Sequence, residues 1–144
     1  MGFRQVKMTI YKPGIRNIGS FETKLRYSIG FVGFAILVIV IFLVFFYKAA
    51  PVYTFLLIPP LIVGFEGILQ GRSKFCATYA LLCIYDVTDD GRKKGQVKNP
   101  RMIKKDRSKM LKIQIYSIAG TLVIFILFFF LYSFYYLDLL TKLL

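Results

Sequence analysis

Two long runs without charge constrain this chain more than any other feature of its sequence. Between Arg26 and Lys48 lie 21 consecutive uncharged residues, and between Lys112 and Asp138 lie 25, nearly all of them apolar. An α-helix of about 20 residues, rising roughly 1.5 Å per residue, spans the hydrocarbon core of a bilayer. The runs therefore predict a transmembrane helix at 21–48 and a second one inside a long helix at 100–140.

A third candidate crossing extends from Pro51 to Gly71, although Glu66 and the pair Pro59-Pro60 interrupt it. The two prolines remove backbone donors near its middle, which predicts a kinked helix at residues 51–71. Such a break can line a transport site or can simply be accommodated by packing. The predicted fold class is an all-α integral membrane protein with three transmembrane helices, an antiparallel hairpin plus a third helix.

The distribution of positive charge predicts the orientation of these crossings. Of the 20 lysines and arginines, six precede the first crossing and twelve lie between Arg72 and Lys112, whereas the first loop and the tail hold one each. The positive-inside rule then places the N-terminus in the cytoplasm and the tail at 141–144 outside a cell membrane, inner or plasma. A cleaved signal peptide is the alternative, but its apolar region would exceed the usual length of roughly 7 to 15 residues.

The remaining segments lie on the cytoplasmic side in this arrangement. Residues 1–20 are predicted to form a basic arm on the surface, and residues 88–99 a mobile basic linker. Asn99 followed by Pro100 predicts the start of the third helix, which carries about three basic turns before it enters the membrane.

A short amphipathic helix is predicted between the hairpin and the linker. Residues 74–87 are too few to cross a bilayer. As a helix they place Phe75, Tyr79, Leu82 and Cys83 on one stripe, which is typical of a helix lying at the membrane interface.

Aromatic side chains cluster where the third crossing ends, at Tyr132, Phe134, Tyr135 and Tyr136. Tyrosine is enriched at membrane interfaces, so the cluster predicts an aromatic belt and not a cofactor site.

The chain contains no histidine, which removes the usual general base and the commonest zinc ligand. Its seven carboxylates include no acid and base pair and no metal-binding spacing, and among them only Glu66 lies inside a crossing. We therefore expect neither an enzyme nor a site for a cofactor or a metal ion.

Glu66 is nevertheless a candidate functional residue, because ionisable groups inside membranes are costly to bury. It lies level with Arg26 across the predicted hairpin, and an ion pair between the two would satisfy both. A role in handling protons or cations within an oligomeric small transporter or channel is the alternative.

Cys76 is the second candidate, since it follows Arg72 and Lys74 at a predicted helix start, where cations favour the thiolate. A thiol-dependent sulfur or redox carrier would use this residue. However, Cys76 and Cys83 are seven residues apart, unlike the spacing of a CxxC motif, and a buried cysteine often only fills space.

The basic stretch from Gly91 to Lys112 carries ten cations against Asp106, a net charge of +9. Beside a bilayer it is predicted to bind anionic lipid headgroups, or an acidic partner protein. Nucleic acid is not expected, because aromatic residues are not interleaved for stacking. The predicted contact residues are Arg92, Lys93, Lys94, Lys98, Arg101, Lys104, Lys105, Arg107, Lys109 and Lys112.

Two fragments resemble a known family. The segment NIGSFETKLR has the spaced residues Asn17, Gly19, Glu22 and Arg26, and FCATYALLCI has a cysteine, Cys76, three residues before Tyr79. Over residues 16–85 they resemble the start and the exit of YgaP-like transmembrane hairpins, small inner-membrane domains of unknown function that occur alone or attached to rhodanese sulfurtransferases.

This resemblance implies a two-helix hairpin and draws attention to Tyr79 beside Cys76. The chain departs from the family at Ala77 in place of a proline, at Cys83 in place of a glycine and at Thr23 in place of a basic residue. The third helix lies outside the resemblance, and sulfur transfer is not implied. We expect a non-catalytic membrane subunit or scaffold that packs against partner membrane proteins or copies of itself.

Overall fold

The computed structural model describes residues 10–91 and 94–143. In this part of the chain, three helical segments are long and apolar enough to cross a membrane: Ser20–Phe46, Pro51–Ser73 and Pro100–Lys142. The predicted fold class is confirmed. The elements are α1 (Ser20–Phe46), a 3₁₀ helix (Pro51–Leu57), α2 (Ile58–Ser73), α3 (Ala77–Leu81), β1 (Ile84–Tyr85), β2 (Gly95–Gln96) and α4 (Pro100–Leu143).

Glycines allow α1 and α2 to pack backbone against backbone. A Cβ added at Gly67 would lie 2.5 Å from the amide nitrogen of Gly30, and one at Gly33 would lie 2.7 Å from that of Gly64. Helices in lipid associate through close packing of small residues, because lipid tails are as apolar as the side chains and the hydrophobic effect does not drive the association. The hairpin is therefore held by a glycine face on each helix, and the face on α2 was not predicted.

The second crossing changes helix type where a kink was predicted. Its first part is the 3₁₀ helix, and α2 begins at Ile58 with Pro59 and Pro60 in its first turn. Proline is tolerated there because the first amide groups of a helix have no intrahelical acceptor. The interruption predicted at Pro59-Pro60 thus takes the form of a change from 3₁₀ to α-helix within one crossing, and the predicted kink itself stays a prediction.

The third helix completes the apolar core of the bundle. Phe125 of α4 packs with Leu57 and Leu61 of the second crossing, and partly buried aromatic rings surround them. Tyr132 is also buried, and its hydroxyl donates to the carbonyl oxygens of Val44 (3.1 Å) and Ala49 (2.7 Å).

The aromatic belt prediction is therefore wrong for Tyr132. Carbonyl groups at a helix end inside a bilayer need a donor, and this phenol supplies one. Its neighbours Phe134 and Tyr135 are exposed, as a belt requires.

The segment predicted as an interfacial helix at 74–87 contains only the five-residue α3, followed by β1. Cys83 adopts a left-handed backbone (φ 56°), which ends helical structure before Ile84. The following strand pairs antiparallel with β2, joining Ile84 to Gln96 and Tyr85 to Gly95. Residues 74–87 and the second strand, which the predicted linker supplies, form a small folded unit at the end of the hairpin, here called the cap.

The end of the N-terminal arm packs into this cap, whereas Ile10, Lys12 and Ile15 before it are exposed. Asn17 and Ile18 are fully buried, and Ile18 forms an isolated parallel bridge with Asp86. Ile18 packs against Cys76 and Tyr79. The predicted surface position is wrong for Asn17 and Ile18, and residues 1–9 of the predicted arm lie outside the described part.

Candidate functional site

Asn17 joins the arm to the cap through its side-chain amide, which bonds to the backbone of Cys76 as a peptide group would. Its side-chain Nδ2 donates to the carbonyl oxygen of Cys76 (2.9 Å), and the amide of Cys76 donates to Asn17 Oδ1 (2.7 Å). The Asn17 main chain donates to the Lys74 carbonyl oxygen (3.3 Å) and accepts from the Asp86 amide (3.0 Å). Four hydrogen bonds on one buried residue fix the arm against the end of the hairpin.

Cys76 lies inside this junction. It is 0% exposed, and its Sγ accepts a hydrogen bond from the amide of Tyr79 (3.4 Å) at the start of α3. The helix start predicted at this cysteine is present. The position of the thiol, however, is that of a capping group within a packed core and not that of an accessible nucleophile.

Tyr79, Glu22 and Arg26 form a polar chain from α3 to α1. The Tyr79 hydroxyl donates to Glu22 Oε1 (2.9 Å), and Arg26 Nη2 lies 3.6 Å from Glu22 Oε2. Burial, followed by this hydrogen bond to a carboxylate, raises the pKa of Tyr79 above its ordinary value. Lys94 Nζ stands over the Tyr79 ring, 5.5 Å from its centroid.

Glu66 bonds to two amides instead of to Arg26. Its Oε1 accepts from Gln70 Nε2 (2.8 Å) and from Gln114 Nε2 (2.7 Å), so it connects α2 to α4. The predicted ion pair is wrong, because Arg26 reaches Glu22 one helical turn away in its own helix. Arg26 and Glu66 do meet at the walls of one pocket, of about 150 Å³, that Gln70 and Thr78 also line.

Asp106 fixes the arm to the basic part of α4. One carboxylate oxygen accepts from the Tyr11 hydroxyl and the other from the Gly14 amide, both at 2.6 Å. Burial, and then the hydrogen bond to Asp106, raises the pKa of Tyr11. The Tyr11 ring stacks on Tyr85, with centroids 4.5 Å apart, so this contact extends to the two-stranded cap.

The predicted lipid-contact residues lie along the outside of the cap and of α4. Arg92 and Lys93 are outside the described part of the chain. Lys109 is half-buried and, with Lys105 and Lys112, lines a shallow pocket of about 240 Å³. The exposed members are Lys94, Lys98, Arg101, Lys104, Lys105, Arg107 and Lys112.

The structure thus brings Arg26 and Tyr79 together, because both contact Glu22. Cys76 packs against Tyr79 in the core, and Glu66 bonds instead to Gln114 of the third helix. Sequence reasoning missed the partners of Cys76 and Glu66, which are Asn17 for the first and Gln70 and Gln114 for the second. It also missed the contact of Tyr11 with Asp106. Two of these residues carried a signal, since Gln114 is a polar residue within an uncharged run and Asp106 is the one acid within the basic stretch.

The chemistry available at this junction is that of hydrogen bonding and charge. Among the described residues, no group of three or more Cys, Asp or Glu side chains could hold a metal ion. Comparison with family models, curated proteins and solved structures finds no match to this chain. The resemblance of residues 16–85 to YgaP-like hairpins therefore stays a prediction.

Proposed function

We propose that this small integral membrane protein is a non-catalytic subunit or scaffold, whose basic face contacts anionic lipid headgroups or an acidic partner protein. The observation that carries the proposal is the imbalance of charge on the first part of α4. Its cations are exposed except for the half-buried Lys109, whereas Asp106 is 2% exposed and both of its oxygens accept hydrogen bonds from the arm. Because Asp106, the one carboxylate in this part of α4, is buried and bonded to the arm, it does not neutralise the cations of the outer face.

We further propose that this face is cytoplasmic, in an inner or plasma membrane, with the C-terminus outside. The support is the concentration of lysine and arginine on the side of the arm and the cap. A cytoplasmic leaflet with anionic lipids attracts such a face by about 1 kcal/mol per cation near the surface.

The proposed absence of catalysis is supported by what the polar groups contact. Glu22, Glu66 and Asp106 each accept hydrogen bonds that hold one segment to another. A thiol carrier would need Cys76 to be reached by its substrate, and the burial of Cys76 argues against this. Alkylation in intact membranes should label Cys83 well before Cys76, and equal rates would revive the carrier hypothesis.

A transporter that uses Glu66 has one supporting observation, the pocket shared with Arg26. The two amide hydrogen bonds of Glu66 support a structural role instead. Oligomers reconstituted in vesicles should show the same ion flux and pH dependence with Glu66→Gln as without it. A change in either would favour transport.

The scaffold proposal is tested by purification in mild detergent, followed by identification of the proteins and lipids that remain bound. A variant with Lys98→Gln, Arg101→Gln, Lys104→Gln and Arg107→Gln should lose most of this material, because these side chains are exposed. Lys142→Gln, which removes an exposed cation beyond the last crossing, is the control and should retain it. A clean monomer without a protein partner or enriched anionic lipid would contradict the proposal.

A further inference from the structure

A second basic pocket lies where the arm, the start of α1 and the end of α2 meet. It has a volume of about 270 Å³, and Arg16, Lys24 and Lys74 contribute its cations. Tyr27, Thr23 and Ser20 line it as well. None of these cations belongs to α4, so the pocket is a separate feature from the basic face described above.

The fold holds these three cations together without a balancing carboxylate. Arg16 is fixed beside Lys74 because its neighbour Asn17 donates its amide to the Lys74 carbonyl oxygen. Within the described residues, none of the three is paired with a carboxylate. The carboxylate of Asp89 accepts a hydrogen bond from the hydroxyl of the lining residue Ser20 (2.6 Å) and not from any of the three cations. Like charges in one pocket repel, and a bound anion would relieve that repulsion.

Lys74 occupies a backbone conformation that favours glycine. It follows α2 in the left-handed region (φ 50°, ψ 42°), and its amide donates to the Gly71 carbonyl oxygen. Helices commonly end on glycine in this conformation, because a Cβ is unfavourable there. The backbone conformation therefore gives no reason for a lysine at this exposed position.

The pocket also has an apolar wall, at the start of the uncharged run of the first crossing. Tyr27 is the first residue of the uncharged run, and a Cβ added at Gly71 would lie 2.9 Å from the Tyr27 ring. The ring thus packs on the end of α2, directly beside the cations. Phosphate groups of glycerophospholipids lie at the boundary of the hydrocarbon core, with the glycerol and acyl chains on its apolar side.

We propose that this pocket binds the phosphate of an anionic glycerophospholipid, with Arg16, Lys24 and Lys74 contacting the phosphate oxygens and Tyr27 contacting the glycerol and upper acyl chain. Arginine and lysine are the usual partners of phosphate oxygens. The inference deepens the proposed function, on which it rests for a leaflet that contains anionic lipid.

The test titrates the full chain in mild detergent and counts bound lipid by native mass spectrometry. The probes are phosphatidic acid, phosphatidylcholine with the same acyl chains, and inorganic phosphate. We expect one phosphatidic acid to bind at least about tenfold more tightly than phosphatidylcholine. Inorganic phosphate should compete only at far higher concentration, because it lacks the contact with Tyr27.

The decisive variant combines Lys24→Gln with Lys74→Gly. Each cation removed should weaken phosphatidic acid binding about fivefold, so the pair should lose about 25-fold. The matched control, Lys98→Gln with Lys104→Gln, removes the same charge from the α4 face. It should reduce only the weaker, additional binding of phosphatidic acid there and leave the affinity of the single tight site within about twofold. Lys74→Gly suits the left-handed backbone, so the thermal midpoint of the pocket variant should not fall. Arg16→Gln alone should lose about fivefold.

Equal losses in the two double variants, or equal affinity for both lipids, would overturn the inference. Inorganic phosphate binding as tightly as the lipid would also overturn it, since the ligand would then be the free ion. Equal losses in the two double variants, or tight binding of the free ion, would leave the basic face of α4 as a separate proposal, which the four-cation variant described above tests. Conversely, loss of partners only in the α4 variant with pocket binding intact would support both.

Discussion

Tyr79 shows how much one hydroxyl group contributes at the junction of this fold. It donates to Glu22 from the five-residue α3, and so connects α3 to the first turn of α1. Glu22 is 8% exposed, and its second oxygen lies 3.6 Å from Arg26 Nη2. Such a carboxylate depends on its few donors, because water does not replace them easily.

We expect Tyr79→Phe to lower the free energy of unfolding by about 1 to 3 kcal/mol, because it leaves a buried carboxylate oxygen without its donor. Denaturation titrations in detergent measure this difference. Tyr116→Phe is the control, since Tyr116 is exposed and makes no hydrogen bond among the described residues, and it should change little. A loss that is the same in both variants would contradict this role of Tyr79.

The tyrosines Tyr11 and Tyr79 predict a loss of stability at alkaline pH. Both folded-state pKa values are raised by burial and then by a hydrogen bond to a carboxylate. Their contribution is complete below the unfolded pKa of about 10 and is lost as pH rises through the folded values. Each contributes up to about 1.4 kcal/mol per pH unit in that window.

The double variant Tyr11→Phe with Tyr79→Phe should therefore show a shallower fall of stability above pH 10 than the unchanged chain. Thermal midpoints measured from pH 8 to about pH 11.5 test this difference. If the thermal midpoints of the two proteins fall in parallel with pH, the ionisation of Tyr11 and Tyr79 does not cause the loss of stability.

Residue-level predictions succeeded where the sequence position alone decides the role. Asn99 caps α4 as predicted, since the Arg101 amide donates to its Oδ1 (2.9 Å). The partners of Glu66 and Cys76 were not predictable in this way. Gln114 is 48 residues from Glu66 and Asn17 is 59 from Cys76, so each pair depends on the tertiary fold.

At the scale of the elements, the hairpin depends on glycines that face each other across α1 and α2. We expect Gly67→Ala to cost about 1 to 3 kcal/mol, because its Cβ would meet the Gly30 backbone, which cannot move without separating the helices. Gly120→Ala is the matched control, since its Cβ would lie 3.3 Å from the Phe65 ring, and a ring can shift. A neutral Gly67→Ala in the same denaturation assay would contradict this close packing.

Glu66 determines how α2 and α4 are joined. Glu66→Gln keeps an oxygen that can accept from Gln70 and Gln114, so we expect a loss of less than about 1 kcal/mol. Glu66→Leu leaves both amides without their acceptor inside the bundle and should cost about 1 to 3 kcal/mol. Detergent denaturation of the two variants measures the difference. Equal losses would mean that the charge of Glu66, and not its oxygen, is what matters.

The elements that could be predicted are those determined by runs of apolar residues. Length and lack of charge sufficed for α1 and α4, whereas the second crossing depended on where the prolines fall relative to a helix start. A helical pattern also fitted residues 74–87. The structure differs because Cys83 has a left-handed backbone and the residues after it form β1, which pairs with β2. That pairing involves residues about ten positions apart and left no periodic signal in such short strands.

At the scale of the whole molecule, the orientation in the membrane is the prediction with the widest consequences. In a chain with Cys83→Ser, single reporters Lys48→Cys and Lys98→Cys should differ towards an impermeant maleimide added to intact cells. We expect Lys48→Cys to react at once and Lys98→Cys only after permeabilisation, following the positive-inside rule. The opposite pattern would place the basic face outside.

Whole-molecule architecture was predicted in outline but not in its connections. The hairpin and the third helix followed from composition, because a bilayer admits few other solutions for such segments. That the arm contacts the cap and α4 did not follow, since Tyr11 and Gly14 give no local sign of a partner in the third helix.

The contact between Tyr11 and Asp106 has a consequence for biosynthesis, because its partners are 95 residues apart. Ribosomes add roughly 5 to 20 residues per second, so the arm exists for about 5 to 20 seconds before Asp106 has been made. During that interval the first two helices can already insert and close on their glycines. The arm is thus synthesised before all three helices, and its contact with Asp106 can form only once the third helix has begun to appear.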